Sequence, residues 1–334
     1  MKNEKLKKLS LLVVIMIVIS VASYGVTAML NNDKGSEKDD TITIATSFYP
    51  IYIAALNVTA GMDNVKVINL MENQQGCLHD YQLTTENMRT LEGADALIIN
   101  GAGMEAFLDD IKTNYKSLDI IDSSEDISLL TITGEVHDHD HEEDADHNED
   151  ADHDHEEEHN HNHGDYNAHI WLDPERYEQQ IENIAEGLAK LDPEHSDTYK
   201  SNAKGYIEKV AVLETEMKAE LKDFDYNDVI IFHNSMEYLC QPLGIHVAYS
   251  LNVDGDASLS AGEVATVIEE VKENNIKVLF SEKQYESSIA DRIASETGAK
   301  VYVFDSLVTG NSDKDAYLDG MRKNMELLKT ALYK

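Results

Sequence analysis

Twice along this chain, short runs of β-branched and aliphatic residues alternate with helical patterns, and that alternation leaves few folds open. In the first series TITIAT (residues 41–46), VKVINL (65–70), ALIIN (96–100) and LDIID (118–122) read as strands. A helix is expected after Pro50 and another near residues 105–115, with the glycines of NGAGME closing the third strand. In the second series VIIF (229–232), IHVAYSL (245–251), KVLF (277–280) and KVYVF (300–304) are the strands. Helices fall near residues 235–241, 261–274 and 286–297, and a last one runs to about Leu332. Strands that are apolar throughout and separated by helices belong to parallel sheets covered on both faces. The expected fold class is α/β: two βα lobes of similar size, each with a parallel sheet.

Between the two series, residues 174–191 read as one helix, and Pro193 starts a second that reaches Leu221. In the second, Tyr199, Ala203, Tyr206, Val210, Leu213, Met217 and Leu221 recur at three- and four-residue steps, an amphipathic stripe. A helix of ~27 residues is ~40 Å long, so it would act as a rigid strut between lobes. The expected organisation is a first lobe at residues 41–194, a linker helix at 195–224 and a second lobe at 225–334. Ahead of them, Lys2, Lys5, Lys7 and Lys8 precede an apolar stretch that extends to Leu30. Residues 1–30 therefore read either as an export signal or as an uncleaved membrane anchor, and the polar residues 31–40 as a tether. Both readings put the remainder outside the cytoplasm: secreted, periplasmic, or held on the outer face of the cell membrane.

Charge narrows the partners. There are 27 Lys and Arg against 64 Asp and Glu, a net charge of −37. Such a field repels phosphate backbones, so no nucleic-acid partner is expected. Residues 135–165 hold fifteen of the acidic residues and nine of the fourteen histidines, with no Lys or Arg. A segment so polar and self-repelling cannot fold alone. A solvated loop accounts for its acids but not for His137, His139, His141, His147, His153, His155, His159, His161 and His163. Histidine-rich tracts bind metals, so the segment is expected to collect several ions weakly, with an incidental linker as the alternative. The two cysteines, Cys77 and Cys240, are too few for a disulfide scaffold or a four-cysteine zinc module. They read as two unpaired buried thiols.

In open parallel sheets, ligands bind at the carboxyl ends of strands. His233 follows VIIF, Glu282 comes just after KVLF, and Asp305 follows KVYVF. The first lobe adds His79 in CLHDY and His169 in HIWLDP. Any one of these residues could be a cap or a core polar group; three together at one sheet edge, faced by histidines from the other lobe, suggest a common site. Imidazole and carboxylate are the usual zinc ligands, at ~2.0–2.2 Å, and several imidazoles favour zinc over magnesium or calcium. His195 and His246 read as surface or cap residues. The chain has no G-x-S-x-G elbow and no glycine-rich phosphate loop, so an enzyme is not expected.

From His79 onward, HDYQLTTENMRTLEGADALIINGAGMEAFLDD, HIWLDP, FHNSMEYL and FSEKQYESSIADRIASETGAKVYVFDSL follow in order. In these motifs the chain resembles the metal-specific solute-binding proteins of ABC importers, the zinc- and manganese-uptake group, from about Thr41 to Lys334. The resemblance implies one metal held in the cleft between two lobes, with His79, His169, His233 and Asp305 as ligands. It also implies delivery to a membrane permease that works with a cytoplasmic ATPase. Members with a carboxylate in the third ligand position go with manganese; His233 there favours Zn2+, leaving Mn2+ as the second candidate. One departure is Leu78, where the family often has proline; that loosens the loop of His79 and leaves Cys77 as an alternative thiolate ligand. Glu282 is expected to accept the second N–H of a ligand histidine, with a direct bond to the metal as the alternative. Other functional readings are a metal-storage or adhesive surface protein and an extracellular zinc hydrolase with Glu282 as general base. Four protein ligands leave no open position for activating water, which disfavours the hydrolase.

Overall fold

In this computed structural model the chain is described at residues 41–72, 81–131, 166–251, 260–283 and 288–334. The expectations for residues 1–40, for His79 and Cys77, and for the nine histidines between 137 and 163 lie outside those residues.

The first sheet contains β1 (Ile42–Thr46), β2 (Val65–Asn69), β3 (Ala96–Ile99) and β4 (Asp119–Asp122), in the order β2-β1-β3-β4. β3 is parallel to both β1 and β4. All four β3 residues are buried, as a strand covered on both faces must be. Helices α1 (Tyr49–Val58), α2 (Thr85–Glu92) and α3 (Leu108–Asn114) accompany it. Pro50 opens α1 with its φ already set for helix. Thr84 and Asn87 cap α2 reciprocally: the Thr84 hydroxyl accepts from Asn87 N, and Asn87 Oδ1 accepts from Thr84 N. The helix expected near residues 105–115 is shorter, because Glu105 is diverted. Its carboxylate accepts the backbone N–H groups of Asn100 at 2.7 Å and Gly101 at 3.1 Å, closing the turn after β3.

A ladder absent from the sequence reading comes next. β5 (Leu130–Thr131) pairs antiparallel with β6 (Tyr166–Asn167), joining the chain on either side of residues 132–165. Then α4 (Pro174–Leu191) starts on Asp173, whose carboxylate accepts from Glu175 N at 3.0 Å. It buries Tyr177, Ile181, Ile184 and Leu188 completely. α5 (Ser196–Glu220) has 25 residues, ~37 Å at 1.5 Å each, and follows a 3₁₀ turn at Pro193–His195. The whole expected stripe from Tyr199 to Leu221 is buried. α5 packs chiefly on α4 and also contacts α1.

The second sheet contains β7 (Asp228–Ile231), β8 (His246–Ser250), β9 (Val278–Glu282) and β10 (Lys300–Phe304), in the order β10-β9-β7-β8 with every pair parallel. Its helices are α6 (Glu237–Leu243), α7 (Ala261–Glu273), α8 (Ser288–Thr297) and α9 (Ala316–Leu332). Ile230, Val267, Leu279 and Ile293 form the centre of one apolar cluster joining sheet to helices. α9 lies against α5, so the long helix touches elements of both series. β9 runs two residues beyond the KVLF strand. Phe304 of β10 pairs with Glu282, and Lys283 N donates to Phe304 O at 2.9 Å, which prolongs the ladder. Among the described residues no helix is long and apolar enough to cross a membrane.

Candidate metal centre

Parallel register brings His233 and Glu282 together. β7 and β9 are neighbours with Ile231 opposite Phe280; two residues further on, each chain carries one of these side chains on the same face. His233 continues extended, with φ −153° and ψ 139°, before the chain turns into a 3₁₀ segment and α6. Its Nδ1 lies 2.6 Å from Glu282 Oε1. Ser235 Oγ donates to the same oxygen. Both residues are buried, 3% exposed for His233 and 5% for Glu282. Burial pushes the Glu282 carboxyl up, but the His233 ring and the hydrogen bonds from His233 and Ser235 outweigh it and hold the group below its ordinary value.

His169 arrives from the other lobe. It follows β6 and precedes the 3₁₀ turn Ile170–Leu172, and it is 2% exposed. Its ring meets that of His233 edge-on, with centroids 4.7 Å apart and planes at 85°. Asn167 Oδ1 accepts from His169 N at 3.1 Å and lies 2.8 Å from Nδ1. On the far side Trp171 is 5.2 Å from the His169 ring centroid, and its indole Nε1 donates to Ser306 O at 2.7 Å. That bond ties HIWLDP to the residue after Asp305.

Asp305 stands just past β10, at the more open side. Its Oδ1 accepts from Leu307 N at 3.0 Å, and Oδ2 is 3.1 Å from the Lys283 ammonium. Tyr49, whose hydroxyl donates to Asn311 O at 2.6 Å, has its phenol pushed up to about 12 by burial and by Asp305 and Asp313.

Of the expected residues, His169 thus meets His233 and His233 meets Glu282, and Asp305 is linked to them through Ser306 and Lys283. His79 and Cys77 fall outside the described residues, among which no group of three or more His, Cys, Asp or Glu is arranged to hold a metal. Cys240 is buried, and burial pushes its thiol well above the usual range. His246 is exposed beside Asp228, and half-buried His195 pairs with Asp192 at the start of α5. Asn167, Ser235 and Lys283 were missed. The first two each lie two residues from a candidate histidine, in YNAHIWLDP and FHNSMEYL, and a polar residue at that spacing in an apolar stretch was the available signal.

Two parallel sheets with histidines and carboxylates at their strand ends, and a long helix packed on both series, define a two-lobed α/β binding protein. The family described as "ZnuA: Zinc-uptake complex component A periplasmic" matches residues 44–331, and the chain belongs to that family, a transport component and not an enzyme class. It is 29% identical over 320 residues to zinc-binding protein AdcA of Streptococcus pyogenes, covering 94% of this chain and spanning only 61% of that relative's length. With high-affinity zinc uptake system protein ZnuA of Brucella suis it shares 33% identity over 295 residues, 83% of this chain and 88% of the relative. The solute-binding protein FpvC of Pseudomonas aeruginosa, solved with Mn2+, has a TM-score of 0.72 at 22% identity, covering 87% of this chain and 98% of that one; this is a likeness of fold.

Proposed function

We propose that this protein captures Zn2+ outside the cytoplasm and delivers it to the membrane permease of an ABC importer. The ligands in this reading are His79, His169, His233 and Asp305. The observation that carries it is the pair of buried imidazoles. Asn167 Oδ1 engages Nδ1 of His169 and Glu282 Oε1 engages Nδ1 of His233, so metal ligation by either ring runs through Nε2. Oxygen acceptors on the second nitrogen are the usual support of a metal-bound histidine, and imidazole-rich sites suit zinc. Family membership and the zinc-binding names of its relatives support the same cargo; manganese is the second candidate.

In this reading residues 1–30 export or anchor the chain and 31–40 tether it. Residues 41–194 and 225–334 are the lobes and 195–224 the linker helix. The histidines between 137 and 163 gather zinc weakly near the cleft. Capture needs neutral imidazoles. Asp305 must exchange the Lys283 ammonium for the metal, and release follows when a permease, powered by its ATPase, draws the lobes apart.

The test is titration of the purified protein with Zn2+ and with Mn2+ against a competing chelator, for the native chain and for His169→Ala. One tight zinc site is expected, lost in the variant, and weakening as pH falls through ~6.5, the unperturbed imidazole range. Tight binding that survives His169→Ala, or that is flat between about pH 7.5 and 5.5, overturns the reading.

A further inference from the structure

Asn167 is 1% exposed and spends every hydrogen-bonding position of its amide. Oδ1 takes the backbone N–H of His169 at 3.1 Å and lies 2.8 Å from His169 Nδ1. Nδ2 donates to Asn234 O at 2.8 Å and to Glu237 Oε2 at 3.1 Å. The orientation of this amide follows from its partners. A backbone N–H can only donate and a backbone carbonyl can only accept, so the oxygen must face His169 and the NH2 must face Asn234. An amide oxygen beside Nδ1 then requires that Nδ1 carry a proton, which leaves the lone pair of the neutral ring on Nε2.

The backbone of Asn167 is pinned as well. Its carbonyl accepts from Tyr238 Oη at 2.7 Å, and it pairs with Leu130 in the β5–β6 ladder. Tyr238 Oη in turn accepts from Leu130 N at 3.0 Å. A side chain from the first lobe is thereby fastened to the segment that immediately follows His233.

We infer that Asn167 is a positioning residue for metal capture: its amide sets the Nδ1–H tautomer of His169 and fixes that ring against the Asn234–Glu237 segment that follows His233. The consequence for binding rests on His169 being a metal ligand, as proposed above; the tautomer does not. Zinc binding then demands no ring flip and no tautomer exchange at His169, because Nε2 is already the basic nitrogen.

The experiment is long-range 1H–15N NMR of the full chain without metal, which reports which nitrogen of His169 is protonated, together with zinc affinity by chelator competition. Native protein should show His169 as the Nδ1–H tautomer. Asn167→Ala should shift it toward Nε2–H and weaken zinc binding about 10–100-fold, the usual effect of removing such a partner. Asn167→Asp keeps an acceptor for His169 while losing the donor to Asn234, so it should retain the Nδ1–H tautomer. It also keeps the test available should the alanine variant fail to fold. An unchanged tautomer in folded Asn167→Ala, or an Nε2–H tautomer in the native chain or in Asn167→Asp, overturns the inference. His169→Ala separates the two ideas: if it keeps the tight site, the ligand assignment fails, while the tautomer result still decides the role of Asn167.

Discussion

Replacing Glu282 by alanine removes the acceptor that two buried donors share, His233 Nδ1 at 2.6 Å and Ser235 Oγ. The pair is 3% and 5% exposed, so little solvent is at hand to replace the lost acceptor. A hydrogen bond to a charged acceptor contributes about 1.5–3 kcal/mol. Loss of a carboxylate behind a metal-bound histidine weakens metal binding about 10–100-fold, or about 1.4–2.8 kcal/mol, which is the size of the single bond to His233 and leaves the Ser235 bond to be read in stability. Glu282→Gln keeps one oxygen for Nδ1 and should cost about tenfold or less. Asp305→Ala, which removes a proposed direct ligand, should exceed both. The assay is zinc titration against a graded set of chelators, with thermal unfolding run on the same samples to confirm that each variant is folded. Unchanged affinity in Glu282→Ala would refute the supporting role. A loss larger than that of Asp305→Ala would show that Glu282 binds the metal itself.

Lys283 and Asp305 form an ion pair at 3.1 Å in which the lysine is largely exposed, so under the proposed ligand set the ammonium would compete with the metal for Oδ2 only weakly. Lys283→Gln should tighten zinc binding about two- to fivefold at low salt, less at high salt; weaker binding would contradict the competition. Deleting residues 135–164 should remove the low-affinity zinc and leave one tight site, which metal analysis by mass spectrometry checks; an unchanged stoichiometry counts against the histidine-rich segment as a metal collector. Glu105 is fully buried and its carboxyl is pushed up from 4.5 to about 7, burial outweighing the hydrogen bonds it accepts. The folded protein therefore holds a proton that the unfolded chain has released, and stability falls as pH rises from about 4.5 to 7, by up to about 3 kcal/mol. Urea unfolding at pH 5 and pH 8 should show that slope in the native chain and a flatter profile in Glu105→Gln; parallel profiles would refute it.

Much of this architecture was legible before any coordinates. Each expected strand in both series forms, with ends displaced by a residue or two. The stripe from Tyr199 to Leu221 is buried throughout, because a helix of fixed pitch converts spacing directly into a face. The positions of His233 and Asp305 after apolar runs were readable for the same reason: strand ends are local. The helix near residues 105–115 came out shorter because Glu105 found backbone donors five and four residues behind it, a choice no periodicity records.

What the sequence determined by itself is the strands of the two parallel sheets, most of the helices and the residues available at the strands' carboxyl ends; the β5–β6 ladder and the helix Thr85–Glu92 were not among them. Which of those residues touch was decided by tertiary structure. His233 meets Glu282 across 49 residues of chain, and Asn167 reaches Asn234 and Glu237 across 67 and 70. These contacts depend on the register of parallel strands and on how the lobes pack, and both are set by the joint burial of many side chains. Hydrophobic alternation places a residue on one face of a strand or the other; it carries no information about which residue of a distant strand will lie beside it.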